Sequence, residues 1–134
     1  MLIRKIRFQT NEVDAIYDQY DGYIWAAVDL NKGMLAAGDE YVRDLRDALI
    51  QRKCPSDKIV GVGIDLDNAE VHLYSPINPK ANNKIDNHRV PDADMRRLDD
   101  LVEYFFGAFP CFMEKEKQKK SHSKPSIFYI NHSL

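Results

Sequence analysis

The segment that decides the fold is residues 23–77, YIWAAVDLNKGMLAAGDEYVRDLRDALIQRKCPSDKIVGVGIDLDNAEVHLYSPI. Two turn signals, Asn31-Lys32-Gly33 and Asp67-Asn68, each separate two β-rich runs, because Asn, Asp and Gly tolerate the backbone angles of tight turns. Between the two hairpins, apolar residues recur at helical spacing over residues 42–49 and make one stripe. The segment therefore predicts a hairpin, an amphipathic helix and a second hairpin.

The flanking residues extend this pattern at both ends. Residues 2–8 predict a short strand, and residues 13–20 predict a helix with one apolar stripe. Residues 76–91 are polar and predict a long loop, and Asp92 opens a third helix. We therefore predict an α+β fold, in which a mainly antiparallel sheet of about five strands carries three helices on one face, in the order β-α-β-β-α-β-β-α. The predicted core contains Val28, Leu35, Leu45, Leu49, Val62, Ile64, Leu73, Leu98 and Phe105.

Composition divides the chain into three parts. We predict that residues 1–113 form a single α+β domain, residues 114–125 a charged linker, and residues 126–134 a short apolar segment. The last part contains Ile127-Phe128-Tyr129-Ile130, a β-rich island that could add a C-terminal strand to a sheet edge. That edge could belong to the same chain or to a partner, so a homodimer through this segment is one alternative.

The overall balance of charge narrows the classes of partner. The chain has 134 residues, with 19 basic and 21 acidic side chains and a formal net charge of -2. This near-neutral balance argues against a dedicated nucleic-acid binder, which carries a basic excess.

The chain has no apolar run at its start and none of bilayer length, so we expect a cytoplasmic protein without membrane contact. The two cysteines form no metal-binding pair, and we expect no cofactor.

An ordered set of residues resembles a known family. The set comprises Ala27-Val28-Asp29, Met34-Leu35-Ala36-Ala37-Gly38, Glu40, Asp44, Gly61, Gly63, Ser75-x-Ile77-Asn78, Asn87, Val90, Asp92 and Arg96. In order and spacing it resembles the prokaryotic domain-of-unknown-function family 5674, over residues 20–107. The resemblance implies a small bacterial or archaeal α+β domain and marks these polar positions, but it implies no activity. Val42 stands where the resemblance leads us to expect a histidine, and Lys80 is shifted from the expected place of an arginine.

Three local motifs are better explained by structure than by chemistry. Residues 65–70, DLDNAE, lack the glycine and the distant glutamate of a calcium loop, so we interpret them as a hairpin turn. Gly61-x-Gly63 lacks the lysine of a phosphate loop, and we expect a neighbouring backbone or side chain to approach there. His72 lies on a strand face beside Tyr74, where we expect a half-exposed structural role.

The long polar loop is the strongest candidate for a ligand site. Arg89 presents a fixed fork of N–H donors beside the amino end of the third helix, a position that favours anions. His88 could act as an acid or a base near neutral pH. Acidic residues of the first hairpin and the second helix could lie beside the loop. The candidate ligand-binding residues are Asn78, Asn87, His88, Arg89, Asp92, Arg96, Asp29, Glu40 and Asp44.

The sequence leaves two functions open. The first is a non-catalytic binding or protein-interaction module, with an unknown protein or a small anionic ligand as its partner. The second is a small enzyme acting on a phosphate- or nucleotide-like substrate through residues 78–92. In that enzyme Arg89 would clamp the anion and His88 would transfer protons, with Asp29 or Glu40 assisting. A loop pinned only by Asn and Asp caps is the structural alternative to both.

Overall fold

The computed structural model describes residues 1–54, 56–74, 90–119 and 127–129. Within these ranges lie six strands, four α-helices and two short 3-10 turns. Their bounds are β1 Leu2–Arg4, 3-10 turn Thr10–Glu12, α1 Val13–Tyr20, β2 Tyr23–Asp29, β3 Met34–Ala37, α2 Val42–Gln51, 3-10 turn Ser56–Lys58, β4 Ile59–Asp65, β5 Glu70–Leu73, α3 Asp92–Phe106, α4 Pro110–Lys119 and β6 Ile127–Tyr129.

The strands form one sheet in the order β1-β3-β2-β4-β5-β6. The first five are antiparallel to their neighbours, and β6 adds to the β5 edge in parallel. Both hairpins close as the turn residues predict. The N–H of Gly33 donates to the carbonyl of Asp29 at 2.9 Å, and a carboxylate oxygen of Asp65 accepts from the N–H groups of Asp67 and Asn68.

The sheet is covered on both faces, and each face has its own core. On one face, α1, α3 and α4 pack with Phe8 over alternate residues of the strands, such as Val28 and Val62. The other, which we call the α2 face, carries Ala27 and Ile59 under the apolar stripe of α2. α2 contacts β2, β3 and β4, and the same face continues toward β5. Because side chains alternate along a strand, consecutive residues within β2 enter different cores, and the same holds within β4.

The structure confirms the α+β class, the element order and the five antiparallel strands, and the C-terminal strand is present as β6 on the edge of its own chain's sheet. The helices, however, do not all lie on one face. The sequence explains why helices cover both faces, because Ile59–Asp65 is a nearly continuous apolar run, which is typical of a strand buried on both sides. All nine residues of the predicted core are buried: Val28, Leu35, Leu45, Leu49, Val62, Ile64, Leu73, Leu98 and Phe105.

A fourth helix, α4, occupies part of the segment predicted as a linker. It begins at Pro110 and continues to Lys119, so residues 114–119 are helical. Proline favours the first helical position, and Met, Glu, Lys and Gln are good helix formers. Lys115 fastens α4 to the second hairpin through a hydrogen bond from its Nζ to the carbonyl of Ala69 at 2.8 Å. None of the helices in the described ranges has the length and apolar character that a membrane crossing needs.

Candidate functional site

The residues predicted for the polar loop fall in two groups. Asn78, Asn87, His88 and Arg89 lie outside the described residues. Asp92 and Arg96 are exposed on the first two turns of α3.

The three acidic residues predicted beside the loop lie at two ends of one hairpin. Asp29 pairs with Met34 at the turn end of β2 and is buried. Glu40 and Asp44 are exposed and follow the opposite end of β3, where the N–H of Gly38 donates to Trp25. The structure therefore separates Asp29 from Glu40 and Asp44 by the length of β3.

Arg97, which the sequence analysis did not select, links α3 to the sheet. Its Nε donates to the carbonyl of Leu30 at 3.0 Å, next to the end of β2. The role of Arg97 could have been predicted from spacing, because Arg97 precedes the buried Leu101 by four residues on the same side of the helix.

Val42, where the resemblance led us to expect a histidine, is buried in the α2 face core, so an apolar side chain suits this position.

His72 lies on the β5 part of the α2 face, with a polar neighbour at each ring nitrogen. Its Nδ1 lies 3.0 Å from the Tyr23 hydroxyl, and its Nε2 lies 3.2 Å from a carboxylate oxygen of Glu70. With the imidazole proton on Nε2, the phenol donates to Nδ1 and the ring donates to Glu70. Burial, followed by the charges of Asp65 and Glu70, raises the pKa of Tyr23, so the phenol stays protonated and suits a donor role.

Two more aromatic rings continue this row. The Tyr23 and Trp25 ring centroids are 5.4 Å apart, those of Trp25 and Tyr74 are 5.6 Å apart, and both pairs meet edge to face. Tyr23 crosses Gly63, which confirms that a side chain approaches the glycine pair. The rings pack directly against one another, so the row stabilises the sheet and leaves little space among its own rings for a ligand.

The acidic hairpin at residues 65–70 is a turn, as predicted. Asp65 accepts hydrogen bonds from the N–H groups of Asp67 and Asn68 at 2.9 and 3.0 Å, and from the side-chain amide of Asn68 at 3.0 Å. Burial acts to raise the pKa of Asp65, but these bonds together outweigh it and lower the pKa. The carboxylate is engaged in closing the turn, which explains its presence without a metal ion.

An open groove lies between α3 and α4. Its volume is about 590 Å³. One side is the outer face of α3, and the other is the first two turns of α4. The side chains that line it include those of Arg7, Asp100, Glu103, Tyr104, Met113 and Glu116. We refer to it as the α3–α4 groove.

Acidic groups concentrate on the α3 side of the groove. Carboxylate oxygens of Asp99, Asp100 and Glu103 lie within 4.8 Å of one another. Carboxylates are the ligands that hard cations prefer, but exposed acidic groups are common on protein surfaces without an ion, and we assign no metal here. Glu116 adds a further carboxylate from α4. Like charges this close repel one another.

Apolar and aromatic surface lies beside these charges. Met113 is 53% exposed and Tyr104 is 36% exposed. The guanidinium of Arg7 lies 4.8 Å from the centroid of the Tyr104 ring, in a cation–π contact. The groove was not predicted from the sequence, although Asp100, Glu103 and Tyr104 share the polar side of α3 by their spacing.

Comparison with known proteins identifies the family. The family described as "Protein of unknown function (DUF5674)" matches residues 1–104, which includes β1 and α1, ends within α3, and leaves out α4 and β6. Neither the curated proteins nor the solved structures contain a match to the chain. The match covers most of the sequence and agrees with the resemblance based on residues 20–107, so the chain belongs to the DUF5674 family.

Proposed function

We propose that this chain is a non-catalytic protein-interaction module whose binding surface is the α3–α4 groove. The observation that carries the proposal is the combination, in one concavity of about 590 Å³, of clustered carboxylates with exposed apolar side chains. Polar groups that orient a ligand and apolar surface that binds it are the two components of a recognition site.

The charge of the groove selects the class of partner. Among the described residues that line it are the carboxylates of Asp100, Glu103 and Glu116 and the guanidinium of Arg7. Asp99 lies beside the first two. A lysine or arginine from a partner would therefore gain electrostatic energy, while an acidic segment would lose it. This lining disfavours a small anionic ligand in the groove.

The apolar surface selects the shape of the partner. Tyr104 and Met113 expose enough surface to receive the stem of a basic side chain or an adjacent leucine-like residue. Methionine adapts to different apolar shapes, which makes it common on binding surfaces. Arg7 already places a guanidinium over Tyr104, so the groove contains an example of the contact that we propose for the partner.

We therefore infer that the occupant is a basic amphipathic helix of another protein, which lays alternate lysine or arginine and apolar side chains into the groove. This is the helix-in-groove mode, in which residues three and four apart along the peptide supply the anchors. The groove volume is suited to a few side chains of such a helix and too small to enclose a folded domain.

The proposal is tested by titrating the protein into a fluorescent helical peptide whose lysines and leucines alternate along one face, at spacings of three and four residues. We expect saturable binding that weakens as the ionic strength rises, because exposed charges are screened by salt. We expect the double variant Asp100→Asn/Glu103→Gln to bind at least about tenfold more weakly, which corresponds to about 1.4 kcal/mol.

The matched control is Glu40→Gln/Asp44→Asn, which also removes two carboxylates, both outside the groove. This control should keep the affinity of the unaltered protein. A second peptide, with glutamate in place of each lysine, should not bind. Equal losses in the two double variants, or binding of the acidic peptide, would show that the groove is not the site.

The enzyme alternative would act through residues 78–92, of which residues 90–92 are described. Asp92 and Asp94 occupy the first turn of α3, where their carboxylates already interact with the positive end of the helix dipole and oppose a bound anion. The alternative is tested by thermal stability with phosphate and nucleotides. A rise in stability that Arg89→Ala abolishes would support it, and its absence would count against it.

A further inference from the structure

A basic side chain of the chain itself already occupies part of the α3–α4 groove. Arg7 lines the groove, and its guanidinium lies 4.8 Å from the centroid of the Tyr104 ring. Arg7 belongs to the irregular segment between β1 and the first 3-10 turn, so it reaches the groove from outside the two helices that form it. The groove therefore holds a cation, with the carboxylates of Asp100 and Glu103 in the same lining, before any partner arrives.

The backbone at Arg7 is fixed, which keeps its side chain at the groove. The carbonyl of Arg7 accepts one hydrogen bond from the guanidinium of Arg4 and one from the side-chain amide of Gln9, each at 3.0 Å. The next residue, Phe8, is fully buried, and its N–H donates to the carbonyl of Phe105 at 2.9 Å. A group tethered this closely has a high effective concentration at the groove, so it competes with a cation that comes from solution.

The guanidinium of Arg7 is nevertheless held weakly. Arg7 is exposed, and its guanidinium forms no salt bridge with a described residue. A cation–π contact at an exposed site, such as the one with Tyr104, changes an equilibrium by only about two- to fivefold. A partner's side chain of the same kind can therefore take the place of Arg7 over the ring.

We propose that Arg7 is an internal competitor for the α3–α4 groove, and that the partner's anchor is an arginine that displaces Arg7 from Tyr104. This inference rests on the proposed function and adds the identity of the anchoring side chain. Arginine stacks on an aromatic ring through a planar, weakly hydrated guanidinium, whereas the ammonium of lysine is compact and strongly hydrated. The groove therefore selects arginine over lysine where the partner meets Tyr104.

The exchange gives Arg7 an effect on affinity that is opposite to that of an ordinary contact residue. One guanidinium over the ring replaces another, so the exchange itself contributes little to binding. The net gain comes from the partner's other contacts, for which the half-exposed Met113 offers apolar surface. Removing Arg7 abolishes the competition and also the repulsion of an incoming cation, so its loss strengthens binding.

The test measures the binding of two fluorescent helical peptides to the full chain. The peptides differ only in carrying arginine or lysine at every basic position. We expect the unaltered protein to bind the arginine peptide at least about threefold more tightly, as expected for a weak cation–π contact. In Tyr104→Leu, which keeps a good helix former on α3, the two affinities should become equal. Arg7→Gln should bind both peptides about two- to fivefold more tightly than the unaltered protein does.

The matched control is Lys5→Gln, which removes one positive charge from an exposed residue of the same segment, outside the groove lining. This control should leave both affinities unchanged. Displacement is observed directly through the NMR signal of the Arg7 Nε–H group, which is assigned by its absence from the spectrum of Arg7→Gln. The ring current of Tyr104 shifts this signal in the free protein. Addition of the arginine peptide should move it toward its position in Tyr104→Leu.

The outcomes separate this inference from the proposed function. Suppose that both peptides bind and that Asp100→Asn/Glu103→Gln loses them. Equal affinities of the unaltered protein for the two peptides, weaker binding by Arg7→Gln, equal strengthening by Lys5→Gln, or an Arg7 signal that the peptide does not move would then each overturn the inference alone. Failure of both peptides to bind would overturn the proposed function, and this inference with it.

Discussion

Tyr23 lies across Gly63 of the neighbouring strand, and its hydroxyl is 3.0 Å from Nδ1 of His72. A Cβ at position 63 would meet ring carbons of Tyr23 at 2.8 Å, which is closer than carbon atoms pack. The ring could move aside only by losing its bond to His72 and its contact with Trp25. We predict that Gly63→Ala lowers the free energy of unfolding by about 1–3 kcal/mol, measured by guanidinium denaturation followed by Trp25 fluorescence.

The cause of this loss is separated by a double-mutant cycle with Tyr23→Ala. Without the ring, an alanine at position 63 meets no phenol, and alanine suits a strand at least as well as glycine. The cost of Gly63→Ala should therefore disappear in the Tyr23→Ala background. An equal cost in both backgrounds would mean that the clash with Tyr23 is not responsible.

Two adjacent arginines of α3 should differ in their effect on stability. Both are exposed, but Arg97 donates from Nε to the carbonyl of the buried residue Leu30, whereas Arg96 makes no hydrogen bond to a described residue. Lysine has no donor at the Nε position, so we predict that Arg97→Lys lowers the free energy of unfolding by about 1–3 kcal/mol. Arg96→Lys is the matched control and should stay within about 0.5 kcal/mol. Urea denaturation measures both, and equal values would contradict the assignment.

The features that were predictable from sequence are those encoded locally. The turn residues around Gly33 and Asp65 and the alternation of the strands specify both hairpins, since a turn and its flanking pairs need no distant contact. The second core was missed because apolar residues in succession, such as Ala26 and Ala27, do not say which helix covers which side.

The candidate sites were harder to predict, because each depends on long-range packing. An aspartate at the end of a strand is usually exposed, but Asp29 is buried and accepts the N–H of Asn31 in the turn that follows β2. The groove depends on the angle between α3 and α4, which no local pattern specifies. Its acidic side on α3 was visible in the sequence, but Glu116 belonged to residues 114–125, which were interpreted as a linker.

The ion pair between Arg4 and Glu12 should make stability depend on pH in a defined direction. Two hydrogen bonds from Arg4, at 2.8 and 2.9 Å, and then one from the N–H of Gln9, hold the pKa of Glu12 below its ordinary value of 4.5. A lowered pKa in the folded state stabilises the fold above pH 4.5, and this contribution is lost as the pH falls through the folded pKa.

Glu12→Gln mimics the protonated side chain and tests this dependence. At neutral pH we predict a loss of less than about 1 kcal/mol, as is usual for exposed pairs. The difference between the two proteins should shrink below pH 4.5 and vanish below the folded pKa of Glu12. Denaturation curves from neutral to acidic pH measure it, with Asp14→Asn as a control for removing an exposed carboxylate of α1. A difference that stays constant with pH would contradict the prediction.

The parallel pairing of β6 with β5 predicts the outcome of a cross-linking experiment. His72 and Phe128 are register partners, and adjacent strands lie about 4.8 Å apart, within the range that a disulfide can join. In a Cys111→Ser background, oxidised His72→Cys/Phe128→Cys should therefore form a bond within one chain and migrate as a monomer on a non-reducing gel. Each single cysteine variant is the control and should form no internal bond. A covalent dimer in the double variant alone would instead mean that β6 is exchanged between two chains, the homodimer that the C-terminal sequence allows.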